Sequence, residues 1–211
     1  MKSLKLLATA FAVMTMTLSS CSKDGNNASD SLLFGKVPAI HGEMQDAKAA
    51  LKEEYRTCDS ESKAESLREK ADKLQLEYVS KIEEAAKSLD GKEINFSDGD
   101  VRVTAPVSLT FEKFFSKTDL TPYFKVNGSA EAASDMTFDG SYPTLNVEIV
   151  GYSADGDELF SSRVGHIDAV AGDSHATVKA GAPVKFDHLQ FGKKETSEYK
   201  RTAFLKLEIR K

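Results

Sequence analysis

The chain contains no tryptophan, only two cysteines and no excess of basic residues. Without a cysteine pair and a tryptophan, it lacks the hallmarks of an antibody-type immunoglobulin domain. Its formal charge of -5 provides no global basic field, which argues against nucleic acid as a partner. The composition is otherwise that of an ordinary globular protein, and 211 residues are enough for one sizeable domain.

Local catalytic and cofactor signatures are also absent from the sequence. The chain has no Gly-x-Ser-x-Gly nucleophile elbow and no Gly-rich phosphate loop. Five acidic residues lie at predicted turns and do not follow the EF-hand spacing for calcium: Asp98, Asp100, Asp155, Asp157 and Glu158. We therefore predict no metal site, no cofactor and no enzymatic activity.

Histidine and cysteine are too few and too scattered to form a recognisable centre. The four histidines show no zinc-ligand spacing: His41, His166, His175 and His188. His166 and Asp168 fall on one side of a predicted strand, where such a pair is usually a surface hydrogen bond. Cys58 lies on a predicted buried helical stripe, where a thiol behaves as a small apolar side chain.

The N-terminal segment indicates where the protein works. Residues 1–5 are basic, and residues 6–18 form an apolar run that is too short to span a bilayer as a stable helix. Leu18-Ser19-Ser20-Cys21 resembles the bacterial lipobox. The resemblance implies a signal peptide at residues 1–20 and palmitate-type acylation of Cys21, which anchors the protein to a membrane. An ordinary secretory peptide with an incidental Cys21 is the alternative.

The residues after Cys21 refine the predicted location. Ser22 lacks the acidic charge that retains enterobacterial lipoproteins at the inner membrane. The polar run Ser22 to Asn27 resembles the surface-export signal of Bacteroidota lipoproteins. That resemblance implies an outer-membrane lipoprotein at the cell surface, with the periplasmic face as the alternative. Acylation of Cys21 would leave Cys58 without a disulfide partner, so packing must hold the fold together.

Residues 21–40 are predicted to be the lipidated cysteine and a tether. The tether begins with Asn, Ser, Asp and Gly and continues with Leu32-Leu33-Phe34. We expect this apolar triplet to dock on the folded body, because apolar surface is removed from water there. Fully extended, the tether reaches at most about 65 Å, and docking of the triplet would shorten it.

Residues 41–90 contain no proline and have helical periodicity. Two apolar stripes recur at steps of three and four residues: Met44, Ala47, Leu51, Tyr55 and Cys58, then Leu67, Ala71, Leu74, Tyr78, Ile82, Ala85 and Leu89. The stripes would point apart on one continuous helix, so we predict an antiparallel hairpin with a capping box at Ser62-Lys63-Ala64-Glu65. The alternative is that the two apolar stripes form a coiled coil with a partner protein.

Residues 91–211 change to period two, which is typical of strands with one wet face. Apolar and polar side chains alternate at Val107 to Phe111, Leu145 to Ile149 and Leu205 to Ile209. Turns are predicted at five glycine-containing sites: Asp98-Gly99, Asn127-Gly128, Asp139-Gly140, Asp155-Gly156 and Ala171-Gly172-Asp173. Of the 18 Phe and Tyr residues, 14 lie in this region, which locates the main aromatic core.

Seven to nine short strands in this length predict an antiparallel immunoglobulin-like β-sandwich. The stretch from Leu145 through Ser153-Ala154-Asp155-Gly156-Asp157-Glu158 to Phe186 resembles small bacterial Ig-like lipoprotein modules. The predicted fold class is therefore α+β, with a helical hairpin at 41–90 and a β-sandwich at 91–211. The resemblance assigns no functional residue.

Adjacent aromatic residues point to a contact surface. Phe114-Phe115 and Tyr123-Phe124 place neighbouring rings on opposite faces of a sheet, so one ring of each pair faces outward. If these rings are exposed, they would form a patch that binds a glycan or a protein. The simpler expectation is that the helical hairpin covers that face.

Three functions are compatible with the sequence. The first is a non-enzymatic envelope lipoprotein that binds or scaffolds an envelope protein or a glycan. The second is a pilin-like assembly subunit that uses strand addition. The third is a hydrolase with an active site assembled from residues distant in sequence, because fold alone excludes no chemistry. We expect the first.

Overall fold

The computed structural model describes residues 32–192 and 196–211 of the chain. The predicted signal peptide at residues 1–20, the lipidation site Cys21 and the export segment Ser22 to Asn27 lie outside the described residues and stay predictions. No helix within the described ranges is long and apolar enough to cross a bilayer.

Two N-terminal helices pack against each other as the predicted hairpin. α1 spans Val37–Arg56 and α2 spans Glu61–Lys87. α1 begins before the predicted residue 41. Pro38 lies in its first turn, where a backbone N–H has no partner within the helix, and proline has no such N–H to leave unpaired. The predicted capping box at residues 62–65 is wrong. Ser60 is already extended and accepts the backbone N–H of Lys63, so α2 starts earlier.

Burial is concentrated at the ends of the helices that meet the sheets, in the first half of α1 and the second half of α2. Met44 and Ile82 are fully buried, as their stripes predict. Tyr55 is exposed, and Cys58 lies beyond the end of α1 and is half-buried, so the predicted stripe of α1 does not continue to its end. At this far end the helices contact each other, and Arg68 Nη2 donates to Tyr55 Oη at 2.9 Å.

The apolar triplet before α1 docks on the folded body, which confirms that expectation. Leu33 and Phe34 are buried and Leu32 is half-buried. The Phe34 ring centroid lies 4.9 Å from that of Tyr199 and 5.2 Å from that of Phe191. The segment in front of the helices is therefore part of the main core.

The region after the helices contains three antiparallel sheets among the described residues. The ten strands are β1 (Val101–Ser116), β2 (Thr121–Ala132), β3 (Met136–Asp139), β4 (Thr144–Tyr152), β5 (Glu158–Asp168), β6 (Val170–Ala171), β7 (His175–Val178), β8 (Val184–Phe186), β9 (His188–Gln190) and β10 (Phe204–Arg210). A short helix, α3 (Thr196–Tyr199), precedes β10. The strand orders are β1-β2-β9, β10-β4-β5-β8 and β3-β7-β6.

The coarse fold prediction is confirmed: the protein is α+β, with a helical hairpin followed by antiparallel sheets, including a curled half-barrel. The predicted alternation holds at most positions of the three segments, where the apolar side chains are buried and their neighbours are at least partly exposed; the exceptions are Val150, which is buried, and Phe111, which is half-buried. These buried positions are Val107, Leu109, Leu145, Val147, Ile149, Leu205, Leu207 and Ile209. One continuous core joins them to the helices.

The predicted turn at Asn127-Gly128 is wrong, because both residues lie inside β2. Gly128 has φ +139, and a Cβ atom there would lie 2.7 Å from the Pro106 carbonyl oxygen on β1. The pairing of β1 and β2 is irregular at this point. This glycine therefore permits a close approach of two backbones at a bulge and does not make a hairpin turn.

Candidate functional site

The histidines singled out in the sequence are held in separate local environments. His41 is buried, and its Nε2 donates to the Asp119 carbonyl oxygen at 2.9 Å. His166 and Asp168 share one face of β5, as predicted, but the Asp168 carboxylate is bonded to Lys185 Nζ at 2.6 Å. That bond holds the pKa of Asp168 below its ordinary value. Over the described ranges, no three His, Cys, Asp or Glu side chains are placed to hold a metal ion.

The acidic residues weighed as calcium ligands have structural partners or lie in turns. Asp155 lies in the turn between β4 and β5, and Asp157 N–H donates to Ser153 Oγ at 3.1 Å. Asp100 Oδ2 accepts the backbone N–H of Ile209. These residues shape the chain rather than converge on one point.

The densest charge cluster surrounds Arg210 on β10. Its guanidinium binds Glu158 through two nitrogens, at 2.8 and 2.9 Å, and Glu208 at 2.8 Å, while Glu148 lies 3.9 Å away. The bonds to Arg210 lower the pKa of Glu158, whereas a general acid needs a raised pKa. Burial and a hydrogen bond to Glu208 raise the pKa of Tyr152 to about 12. The cluster therefore joins β4, β5 and β10 and offers no obvious general acid.

Arg210→Gln should reduce the free energy of unfolding by about 1 kcal/mol at pH 7, because the pairs are partly exposed and screened. The Glu158 pKa is lowered by folding, so its contribution is present above the unfolded pKa and is lost as pH falls through the folded pKa. The difference between variant and wild type should shrink in acid. Urea unfolding at pH 7 and pH 3 measures this, with Arg102→Gln, which removes an isolated exposed pair, as the control. A difference that grows in acid would contradict it.

The paired aromatic residues divide between the two faces of the β1–β2 sheet. Phe124 is fully buried and Phe114 packs against the core on the face next to the helices. Phe115 is 62% exposed and Tyr123 is half-buried on the opposite face. The expectation that the hairpin covers the outward rings is therefore wrong, because the helices pack on the face that carries Phe124.

The outward rings flank the connection between β1 and β2, which both helices hold in place. Gln75 Nε2 of α2 donates to the Lys117 carbonyl oxygen at 2.6 Å. Lys48 Nζ of α1 donates to the Thr118 carbonyl oxygen at 2.6 Å. The hairpin thus fixes the end of the sheet from which Phe115 and Tyr123 project.

A stacked arrangement is built around Tyr123. The His188 ring of β9 lies parallel to the Tyr123 ring, with centroids 4.7 Å apart and an interplanar angle of 11°. Lys113 Nζ lies 5.5 Å from the centroid of the same ring, and Phe115 lies 6.0 Å away. Lys113 is directly opposite Tyr123 in the β1–β2 register. His188 therefore covers one face of the Tyr123 ring, while Lys113 and Phe115 lie beside the ring from β1, on the other side of β2 from β9.

His188 is held in this orientation by two carboxylates. Its Nε2 lies 3.1 Å from Glu112 Oε2 and its Nδ1 lies 2.7 Å from Asp187 Oδ1. A neutral imidazole can donate to only one of them, whereas an imidazolium donates to both. Both carboxylates therefore position the imidazole ring that stacks on Tyr123.

A cavity of about 340 Å³ opens beside the stacked rings, at the seam between two sheets. Its lining combines an aromatic wall with polar side chains: Tyr123, Ser162, Arg163, His188, Gln190 and Gly192. The volume falls in the range of small-ligand sites. We use the name outer patch for Lys113, Phe115, Tyr123, Arg163 and His188, and patch cavity for the space beside them.

A larger groove of about 530 Å³ lies between the segment before α1 and the end of α2. Its floor consists of core side chains such as Leu89 and Ile94, which are already buried. Its lining carries both lysines and glutamates: Lys36, Lys81, Lys92, Glu84 and Glu93. Because the charges of both signs are mixed, the groove does not select a ligand by charge.

The chain was compared with protein-family models, with curated proteins and with solved structures. No match was found. The functional proposal therefore rests on the chain's own residues, and above all on the outer patch.

The sequence pointed to two of the five residues of the outer patch. Phe115 and Tyr123 belong to the two aromatic pairs from which one ring each was expected to face outward. His188 and Arg163 carried no local signal, because β9 and β5 bring them to Tyr123 from distant parts of the chain. A prediction of the β2–β9 pairing would have been needed to find them.

Proposed function

We propose that the protein is a cell-envelope lipoprotein that acts as a non-enzymatic binding module and contacts a glycan through the outer patch. The observation that carries this proposal is the Tyr123–His188 stack with the exposed Phe115 beside a polar cavity. The lipoprotein assignment is supported by the lipobox-like residues that end at Cys21. An anchor at Cys21 would place the patch in the cell envelope, where polysaccharides are abundant.

Sugar rings and aromatic rings have complementary surfaces. The face of an aromatic ring is negative, so it attracts the C–H groups on the flat side of a sugar. Sugar hydroxyls both donate and accept hydrogen bonds, and the cavity wall offers the Gln190 amide and the Ser162 hydroxyl, which do the same. This combination supports a glycan in the patch cavity.

A protein partner has less support at this surface. A specific protein interface buries about 800 Å² on each partner and has an apolar core. Phe115 is the only strongly exposed large apolar side chain of the outer patch. The other such side chains among the described residues lie elsewhere: Tyr55, Leu76, Tyr142 and Val170.

The assembly-subunit alternative also has less support. Strand addition requires an edge strand with free backbone groups. The outer edge of β10 already accepts Ser97 N–H at the Leu205 carbonyl oxygen and donates Ile209 N–H to Asp100. β1 is similarly bonded to Ile94 through the Val107 carbonyl oxygen.

The immunoglobulin-like β-sandwich remains a finer proposal about the fold. Its support is that all paired strands of the described residues run antiparallel and that the two larger sheets share one core. Two packed antiparallel sheets over a common core are the architecture of that class.

Tyr123→Ala should weaken glycan binding by about tenfold, because it removes the central ring of the aromatic wall, which His188 stacks on and Phe115 contacts. Tyr123→Phe keeps that ring and should retain most of the affinity. The measurement is binding of the full-length protein, purified in detergent, to an immobilised polysaccharide panel. Tyr142→Ala is the matched control, since Tyr142 is exposed outside the patch. Equal losses in both alanine variants, or no binding to any member, would contradict the proposal.

A further inference from the structure

We propose that the glycan bound by the outer patch is acidic, and that Arg163 binds the carboxylate of a sugar while the aromatic wall formed by Tyr123 and His188 packs against its ring. This inference rests on the proposed function, because it names the class of ligand for the same site. It is based on the charged side chains around the patch cavity and on which of them form ion pairs.

Arg163 lines the patch cavity and is exposed. It projects from β5 between Ser162 and the fully buried Val164, and it lines the same cavity as Tyr123. Within the part of the chain that the structure describes, Arg163 makes no hydrogen bond or ion pair. Its cross-strand neighbour on β4 is Glu148, but the carboxylate of Glu148 lies 3.9 Å from Arg210 instead.

The acidic residues of the patch have partners in the patch. Glu112 and Asp187 face the two ring nitrogens of His188. Their negative charges are therefore directed at the imidazole.

The basic side chains around the patch cavity, unlike the acidic ones, have no ion-pair partner among the described residues. Lys125 lies on the same face as Tyr123, two residues along β2, and is exposed. Like Lys113 and Arg163, it makes no ion pair there, whereas Glu112 and Asp187 face His188 and Glu148 lies near Arg210. The charges left for a ligand are therefore cationic, which favours an anionic ligand over a neutral one.

The chemistry of arginine favours a carboxylate as the anionic group. A guanidinium presents paired N–H donors in a plane, which match the two oxygens of a carboxylate. A uronic acid carries such a carboxylate on a sugar ring that also has a flat C–H face. One residue of an acidic polysaccharide can therefore satisfy Arg163 and Tyr123 together, and neighbouring residues of the polymer can reach Lys113 and Lys125.

The test compares acidic polysaccharides with neutral forms of the same backbones. Polygalacturonate, alginate and hyaluronate are each paired with a methyl-esterified or carboxyl-reduced form, and binding to the detergent-purified full-length protein is measured by calorimetry. We expect at least one acidic form to bind about tenfold or more tightly than its neutral counterpart. Binding of that form should weaken as salt is raised, because the contacts are exposed.

Variants then separate the contribution of Arg163 to binding from that of Tyr123. Arg163→Gln should remove the preference for the acidic form and leave binding of the neutral form in place, whereas Arg163→Lys should keep part of the preference. Arg102→Gln, an exposed arginine paired with Glu131 outside the patch, should change nothing. Tyr123→Ala should weaken both forms.

The outcomes distinguish this inference from the proposed function. Equal binding of acidic and neutral forms, or a preference that survives Arg163→Gln, would overturn the acidic ligand while leaving glycan binding in place. Binding to neutral glycans alone would do the same. If no glycan binds in either form, both proposals are wrong.

Discussion

Phe34→Ala should lower the free energy of unfolding by about 3–5 kcal/mol, the usual cost of removing a large buried ring. Phe34 is only 2% exposed, and its ring contacts Phe124, Phe191 and Tyr199. The residue joins the segment before α1 to β2 and α3, so the cavity left behind would lie where several elements meet. Neighbouring rings are fixed by one another and can collapse only partly into that space.

Phe115→Ala is the matched control for this prediction. It makes the same chemical change at a ring that is 62% exposed, and we expect an effect within about 0.5 kcal/mol. Urea unfolding of the two variants, followed by circular dichroism, measures the difference. Similar losses in both variants would mean that the apolar triplet does not belong to the core.

The fold was predictable where a repeating pattern faces a single core. The alternation at Leu145 to Ile149 and at Leu205 to Ile209 reports burial directly, because a strand shows one face to the core and one to water. The hairpin followed from two stripes that no continuous helix could bury together. The docking of Phe34 followed from the cost of exposing three consecutive apolar side chains.

The errors arose where a local signal has more than one physical use. Asn-Gly is a frequent hairpin turn, but Gly128 serves a close backbone approach inside β2. The stripe that includes Tyr55 predicts burial along the whole of α1, whereas the sheets cover only the first half of this helix. Amphipathicity gives the direction of a face but not the extent of the surface that covers it.

The candidate site was less predictable than the fold. Residues on opposite sides of one strand can be sorted from the sequence, which separates Phe115 from Phe114 and Tyr123 from Phe124, but only the β1–β2 register puts Phe115 and Tyr123 on one face. The partners of Tyr123 come from β5 and β9, and their positions depend on tertiary pairing. A site assembled from three distant strands leaves no spacing in the sequence for a motif to capture.

Cys21→Ala should abolish attachment of the protein to the membrane, because the thioether to the lipid forms on that sulfur. Palmitate labelling should disappear, and unprocessed precursor or released protein should accumulate. Cys58→Ala is the matched control, since it removes the other cysteine and should leave labelling and membrane fractionation unchanged. Labelling that persists in Cys21→Ala would contradict the lipoprotein prediction.

The docked triplet limits how far a lipid on Cys21 would let the folded body lie from the membrane. Cys21 and Leu32 are 11 Cα–Cα steps apart, which span at most about 37 Å when fully extended. Because Leu33 and Phe34 are fixed in the core, this reach is shorter than the length of about 65 Å that the whole predicted tether would span. A surface-exposed protein should be removed by protease added to intact cells, whereas full protection would place it at the periplasmic face. In either location, a lipid on Cys21 would hold Leu32 within about 37 Å of the membrane, so we expect the folded body to meet the glycans nearest to that membrane.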